Sequence, residues 1–122
     1  MDRTFLFLGS LSAGLAVTLG AFGAHALRTR LAADQLQVFE TGVRYHFYHA
    51  FALLVVAVAA AQLPPGRLLP AAGWLFVAGT LLFSGSLYLL ALTGVRWLGA
   101  ITPLGGVAFI AGWVCLALAG RG

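Results

Sequence analysis

The stretch LLPAAGWLFVAGTLLFSGSLYLLALTGV, residues 68–95, has no charged side chain and decides the fold. A helix that crosses a membrane needs about 20 mainly apolar residues to span a hydrocarbon core of about 30 Å. Three more uncharged windows of similar length lie at Thr4–Leu27, Tyr45–Gly66 and Trp97–Gly120. Four such windows take up most of the 122 residues, so the sequence predicts four membrane-spanning helices.

The composition supports one integral membrane domain over residues 1–122. Apolar residues make up 61% of the chain, mean hydropathy is +1.00, and only 8% of residues are charged, against about a quarter in soluble domains. A soluble helical bundle would have too little polar surface to cover itself. The seven basic residues are all Arg and lie scattered at window ends, which favours contact with lipid headgroups rather than nucleic acid.

The first window also has features of a secretory signal. Arg3 precedes an apolar run, and Ala24-His25-Ala26 resembles a cleavage site. A signal peptide has an apolar region of about 7–15 residues, however, and this run is longer. We therefore predict a retained first span.

The spans are predicted at about 5–24, 44–62, 69–93 and 99–119. The Pro64-Pro65-Gly66 and Gly94-Val95-Arg96 turns make consecutive spans antiparallel. Small residues recur every four positions in the first span, which favours close packing within the chain or between subunits. The predicted partners are membrane lipids and a second copy held through Gly/Ala faces. No nucleic acid is expected, and other protein partners are undefined.

The sequence leaves two features of the helices open: whether the second helix is bent, and where the fourth helix begins. Asp34 and Gln37 resemble a capping box, from which a helix either continues to Gln62 or bends near Gly42. We favour the bend, which makes the first part a short interfacial helix. The fourth helix begins either at Trp97 with a kink or at Thr102-Pro103, where Thr102 caps the helix and Pro103 occupies its first turn.

A polar cluster is predicted where the first span ends and the second begins. Its members are His25, Arg28, Glu40, Arg44, Tyr45 and His49. Glu40 and Arg44 are four residues apart in the order that favours an ion pair. We interpret the cluster as interfacial groups. The alternative is a proton or metal site in which His25, His46 and His49 meet, although we expect neither a metal nor a cofactor.

A second set of polar residues lies within the third span. It consists of Thr80, Ser84, Ser86 and Tyr88. Such side chains in a membrane helix usually form hydrogen bonds between helices, so we predict that role. The alternative is a polar conduit, which so few side chains would line poorly.

The chain resembles the YgdD-like family of small four-span membrane proteins, a domain of unknown function with a relative in eukaryotes. The resemblance rests on four segments: residues 20–27 (GAFGAHAL), 39–46 (FETGVRYH) with His49-Ala50, 83–88 (FSGSLY), and 101–106 (ITPLGG) with Gly112-Trp113. It implies a four-helix membrane protein without an established activity. By resemblance, the family's signature positions include His25, Tyr45, His49, Ser84, Ser86, Tyr88, Thr102 and Pro103.

The predicted fold is an all-α, antiparallel four-helix transmembrane bundle, located in the bacterial inner membrane. No nucleophile–base pair, phosphate loop or extramembrane domain is evident, so we expect a non-enzymatic scaffold or accessory component. The alternative is a small transporter or ion-binding protein that uses the His/Glu/Tyr cluster. The arginines split four to three between the two sides, which leans towards termini outside the cell.

Overall fold

The computed structural model describes residues 3–121, with only the backbone at Ala24. All regular structure in this range is helical. The α-helices are α1 (Arg3–Ala26), α2 (Ala33–Gln62), α3 (Leu68–Gly79), α4 (Gly85–Thr93) and α5 (Thr102–Gly120). A π-helical turn, Thr80–Ser84, joins α3 to α4, and a 3-10 helix, Arg96–Ala100, precedes α5.

These helices form four spans, as predicted. The candidate spans are long enough to cross a membrane and have mean hydropathies of 1.4 to 2.0. Span one is α1 and span two is α2. Span three is α3, the π turn and α4 together, and span four is the 3-10 helix with α5. An even number of spans places both ends of the described chain on the same side of the membrane.

The second span differs from the favoured prediction, because α2 is one continuous helix of 30 residues. No separate interfacial helix forms, and the polar residues before Arg44 belong to the first turns of α2. Gly42 is not a hinge. A β-carbon there would lie 2.9 Å from the Tyr88 ring, so glycine permits the close approach of span three.

The start of α2 also lies earlier than predicted. The Gln35 side chain accepts a hydrogen bond from the backbone N–H of Ala32 at 3.3 Å, and Asp34 accepts one from the N–H of Gln35 at 2.9 Å. The expected capping box of Asp34 and Gln37 therefore does not form, and the pair that closes the helix start is Ala32 and Gln35, each two residues nearer the N-terminus. Gln35 closes the first turn because it, rather than Gln37, reaches the free N–H groups at the helix end.

Span four combines the two predicted starts. A 3-10 helix occupies Arg96–Ala100, and the α-helix begins at Thr102 with Pro103 in its first turn. Thr102 does not cap the helix as predicted, because Ile101 precedes the helix and no side-chain cap is formed. The Thr102 hydroxyl instead contacts Ser86 of α4, 2.6 Å away.

Span three contains a π turn that the sequence does not predict. The N–H of Gly85 bonds to the carbonyl of Thr80, five residues earlier. Gly105 of α5 lies directly against this turn, since a β-carbon at Gly105 would be 2.4 Å from the backbone nitrogen of Phe83. The turn and the glycine together let the backbones of spans three and four touch.

The helices pack as two close pairs, α1 with α2 and α3 with α5, and α2 also contacts span three. One apolar cluster near the α2–α3 loop includes Leu53, Val56 and Phe76. A second, near the opposite end, includes Phe39 and Val43. The buried polar side chains lie between the two clusters.

Candidate functional site

Within residues 3–121, four polar residues are buried in the bundle interior. They are His46, His49, Ser84 and Ser86. In the described part of the chain, no buried side-chain nitrogen or oxygen lacks a hydrogen-bond partner. The two histidines are three residues apart on α2 and face different neighbours.

His46 joins three spans. Its Nδ1 lies 2.8 Å from the Tyr88 hydroxyl of α4, and its Nε2 lies 2.9 Å from the Ser12 hydroxyl of α1. A neutral imidazole has one N–H donor and one acceptor nitrogen, and either hydroxyl can donate or accept. Both tautomers of His46 therefore satisfy this chain of contacts.

His49 is held in one tautomer. Its Nδ1 lies 2.7 Å from the carbonyl oxygen of Tyr45, which can only accept, so Nδ1 carries the hydrogen. The indole N–H of Trp113 in α5 donates to Nε2 at 3.0 Å. The ring also stacks on Phe109, with centroids 3.5 Å apart and planes at 7°. Through this hydrogen bond and this stacking contact, the neutral His49 ring links span two to span four.

Three of the four predicted third-span residues make contacts between helices, and Tyr88 does so through the bond to His46 described above. Ser84 is fully buried and donates to the carbonyl of Gly42 in α2 at 2.7 Å. Ser86 contacts Thr102, and Tyr88 contacts His46. Thr80 is the exception, since its hydroxyl donates to Phe76 within the same span at 2.8 Å.

The predicted polar cluster at the membrane face is divided. His25, Arg28, Glu40 and Arg44 are exposed, whereas His49 is buried at 4% exposure against span four. Among the described residues of this set, Tyr45 and His49 are the pair in contact, through the Tyr45 carbonyl and through their stacked rings. Within residues 3–121, no three His, Cys, Asp or Glu side chains come together as a metal site, and His25 is exposed whereas the other two histidines are buried.

The expected ion pair between Glu40 and Arg44 does not form. The Arg44 guanidinium donates instead to the hydroxyl of Thr41 at 3.1 Å. Side chains on a helix lean towards its N-terminus, so the long Arg44 side chain extends along α2 towards the Ala33 end. Glu40 and Arg44 are both exposed and line a shallow groove on the outside of the bundle beside Gly20 of α1.

A cavity of about 270 Å³ lies between spans one and three, with α2 as its floor. Six of its twelve lining residues are leucine or valine, and Ser12, His46 and Tyr88 form a polar patch, here called the hydroxyl triad. Leu11 and Leu81 line the cavity and are 49% and 71% exposed on the outside of the bundle. The cavity therefore opens sideways, towards lipid.

Sequence reasoning missed three residues of this interior. Ser12 is one of two serines in the apolar first span, and Trp113 and Phe109 follow the glycine-rich start of α5. A hydroxyl in an uncharged span was a usable signal, because it needs a partner inside the membrane. The aromatic partners of His49 gave no comparable signal, since aromatic residues are common in membrane spans.

Comparison with known proteins places the chain in a family. Residues 19–106 match a family model described as "Protein of unknown function (DUF423)". The "UPF0382 membrane protein YwdK" of Bacillus subtilis (strain 168) is 53% identical over 117 residues, covering 96% of this chain and 95% of that protein. "UPF0382 membrane protein SERP0230" of Staphylococcus epidermidis is 46% identical, with coverages of 96% and 94%.

No solved structure matches. The relatives named above are bacterial, so the YgdD-like name and the eukaryotic relative stay predictions. The family match covers most of the chain, the relatives align along almost their whole length, and the four helices are long and apolar enough to span a membrane. The chain belongs to the DUF423 family and is an integral bacterial membrane protein.

Proposed function

We propose that this protein is a non-enzymatic assembly component of the membrane, a scaffold or accessory subunit that binds a second membrane protein through the outer face of α2. One observation carries the proposal. Glu40 and Arg44 are exposed on the outside of the bundle and are not paired with each other.

The depth of these two residues follows from the packing of α1 on α2. A β-carbon at Gly23 would meet Phe39, and one at Gly20 would meet Val43. Glu40 and Arg44 are the next residues along α2 and line a shallow groove with Gly20, so they lie level with the part of α1 around Gly20. That part belongs to the uncharged first window.

Charged side chains at this depth are costly when they face lipid. In membrane helices they nearly always face protein or water, or pair with one another. A protein surface laid against α2 would supply a partner for both charges. The two histidines of α2, His46 and His49, already bond within the bundle.

A second copy is the partner that the charges fit best. Glu40 and Arg44 have opposite charges and lie one helical turn apart, so a two-fold symmetric contact can set Glu40 against Arg44 of the partner subunit, twice over. The glycine faces expected to serve this purpose are mostly used within the chain. Gly9, Gly73 and Gly112 all contact neighbouring spans closely.

The interior hydrogen bonds support a role without catalysis. Ser84 and Ser86 each bond to another span. His49 bonds to span four and to the backbone of its own helix. Breaking such links to bind a metal ion or move a proton would loosen the bundle. The same contacts thus count against the alternative, a transporter or ion-binding protein.

Light scattering after size exclusion, in several detergents and in lipid nanodiscs, tests the proposal. We expect a dimer or larger assembly, dissociation in the Glu40→Ala/Arg44→Ala double variant, and recovery when the charges are exchanged (Glu40→Arg with Arg44→Glu). Arg67→Ala, at the opposite membrane face, is the matched control and should keep the assembly.

A strictly monomeric particle under all these conditions would remove the second copy as the partner. Zinc bound tightly at one ion per chain and lost in His49→Ala, or proton uptake by proteoliposomes above that of empty liposomes, would favour the alternative function instead.

A further inference from the structure

We propose that the cavity between spans one and three is a binding site for a neutral lipophile that carries a carbonyl oxygen, the chemistry of an isoprenoid quinone. The site is distinct from the outer face of α2. Three properties lead to this ligand: the hydrogen-bonding capacity of the hydroxyl triad, its depth, and the lateral opening of the cavity.

The hydroxyl triad always has one hydrogen to spare. The neutral His46 ring, Ser12 and Tyr88 together carry three polar hydrogens, but only two hydrogen bonds join them. When the ring hydrogen is on Nδ1, that nitrogen donates to Tyr88 and the Ser12 hydroxyl donates to Nε2. The Tyr88 hydroxyl hydrogen then has no acceptor within the triad. With the hydrogen on Nε2, the Ser12 hydrogen is left.

Both hydroxyls line the cavity, and in residues 3–121 neither has another hydrogen-bond partner. In either tautomer the cavity therefore offers one O–H donor. None of the described residues that line the cavity carries a charge while the His46 ring is neutral. A neutral acceptor such as a carbonyl oxygen complements this donor, whereas a carboxylate would lose its hydration without gaining a cation.

The depth of the triad excludes the carbonyl groups of ordinary two-chain lipids. Along α1, Ser12 is about 13 Å from Arg3 and about 20 Å from His25, from the helical rise. The triad therefore lies deep in the hydrocarbon core, whereas ester carbonyls lie at its edge, about 15 Å from the midplane. Quinones are neutral, carry two ring carbonyls, and dissolve in the interior of the bilayer.

The size and opening of the cavity agree with such a ligand. At about 270 Å³ the cavity is near the lower end of ligand pockets, about 300–1,000 Å³, and holds a ring head group rather than a whole lipid. The opening between Leu11 and Leu81 lets a tail pass into the surrounding lipid. The π turn forms part of the wall through Thr80 and Ser84, and such turns often occur at functional sites.

Gly85 provides a direct way to fill the cavity. It lines the cavity, and a β-carbon added there would meet no atom within 4 Å. Gly14 is the matched control, because a β-carbon there also meets no atom within 4 Å but Gly14 is not part of the cavity. Gly85→Leu should block the site without a backbone clash, and Gly14→Leu should leave it open.

The test compares two ligands in phosphatidylcholine nanodiscs with and without protein. One is a 1,4-benzoquinone with a ten-carbon alkyl tail, and the other is decylbenzene, which has the same tail and a ring without carbonyls. We expect saturable quinone binding, in excess of that to empty discs, at one molecule per chain. Binding should be about tenfold tighter than that of decylbenzene, the effect of one hydrogen bond.

Gly85→Leu should abolish the saturable excess and Gly14→Leu should keep it. If Gly85→Leu does not fold, Gly85→Val serves the same purpose. No saturable binding of the quinone, equal binding of both ligands, or unchanged binding in the Gly85 variant would each overturn the proposal. None of these results depends on the oligomeric state, so failure here is separable from failure of the assembly role.

Discussion

Phe83 and Gly105 meet backbone to backbone, and that contact sets a strict limit on residue size. A methyl group at Gly105 would lie 2.4 Å from the nitrogen and 2.7 Å from the α-carbon of Phe83. Neither atom can rotate away, because both belong to the helix. The neighbouring Gly106 has room, with its closest atom at 3.9 Å.

We therefore predict that Gly105→Ala lowers the free energy of unfolding by about 1–3 kcal/mol, the usual cost of overpacking. Gly106→Ala should cost nothing, since its new methyl group makes an ordinary contact. Thermal unfolding followed by circular dichroism in detergent measures both. Equal midpoints for the two variants would contradict the close contact between spans three and four.

Ser84 provides a second prediction about a single residue. Its hydroxyl is fully buried and donates to Gly42 across the bundle. Hydrogen bonds between membrane helices contribute about 0.6 kcal/mol on average and up to about 1.7 kcal/mol. Ser84→Ala should lower stability by an amount in this range, measured by the same unfolding assay, whereas the exposed Ser10→Ala should have no effect. A loss as large in Ser10→Ala would show that the effect is not due to the interhelix bond.

The sequence could predict which residue types bond between helices, but not the partner of each. Ser84, Ser86 and Tyr88 stood out because a polar group in an uncharged span needs a partner. The neighbours of the two buried histidines were harder to predict. The alternative site would bring His46 and His49 together, yet α2 is buried on so many sides that the two rings reach different neighbours.

At the scale of whole elements, the π turn is the main feature of span three. A π turn accommodates one more residue than an α-helix in the same length, and the flanking helices keep their positions. Leu81 lies in the turn and is 71% exposed, so its side chain contributes little to the core. Trp74 in α3 is also largely exposed, at 53%, but lies in a regular helix.

Removal of Leu81 should convert the turn to α-helix with α3 and α4 still in register, and the protein should remain folded. Removal of Trp74 should rotate one end of span three by about 100° relative to the other and unfold the bundle. Size exclusion and circular dichroism of the two deletion variants test this prediction. Equal loss of folded protein in both would mean that the turn does not absorb a residue.

The elements themselves were predictable where the cause is local. Charges and prolines mark the ends of the spans, so four spans and their loops followed from the sequence. The continuity of α2 did not, because Gly42 serves the close approach of Tyr88 from another span rather than a bend, and that contact is not local. The π turn was equally hidden, since it forms where Gly105 of α5 presses against Phe83.

At the scale of the whole molecule, four spans fix which loops share a side. The α2–α3 loop, near Gly66, lies on the side of the chain ends, and the α1–α2 loop, near Thr29, lies on the other. Both positions are exposed, so a cysteine at either can be labelled. Cys115 is the single native cysteine and is replaced by alanine in the test protein.

With the termini outside, as the arginine distribution favours, a membrane-impermeant maleimide applied to intact cells should label Gly66→Cys and not Thr29→Cys. The reverse pattern would place the termini inside. Labelling of both positions would contradict the four-span topology itself. Permeabilised cells, in which both cysteines should react, are the control.

The sideways entrance between Leu11 and Leu81 has a practical consequence. A molecule that enters through it arrives by diffusion within the membrane, so occupancy follows the molar ratio of that molecule to lipid rather than its concentration in buffer. Washing would leave the cavity filled, whereas each exchange of lipid for detergent would change its contents. What co-purifies with this protein should therefore depend on the amphiphile used for extraction.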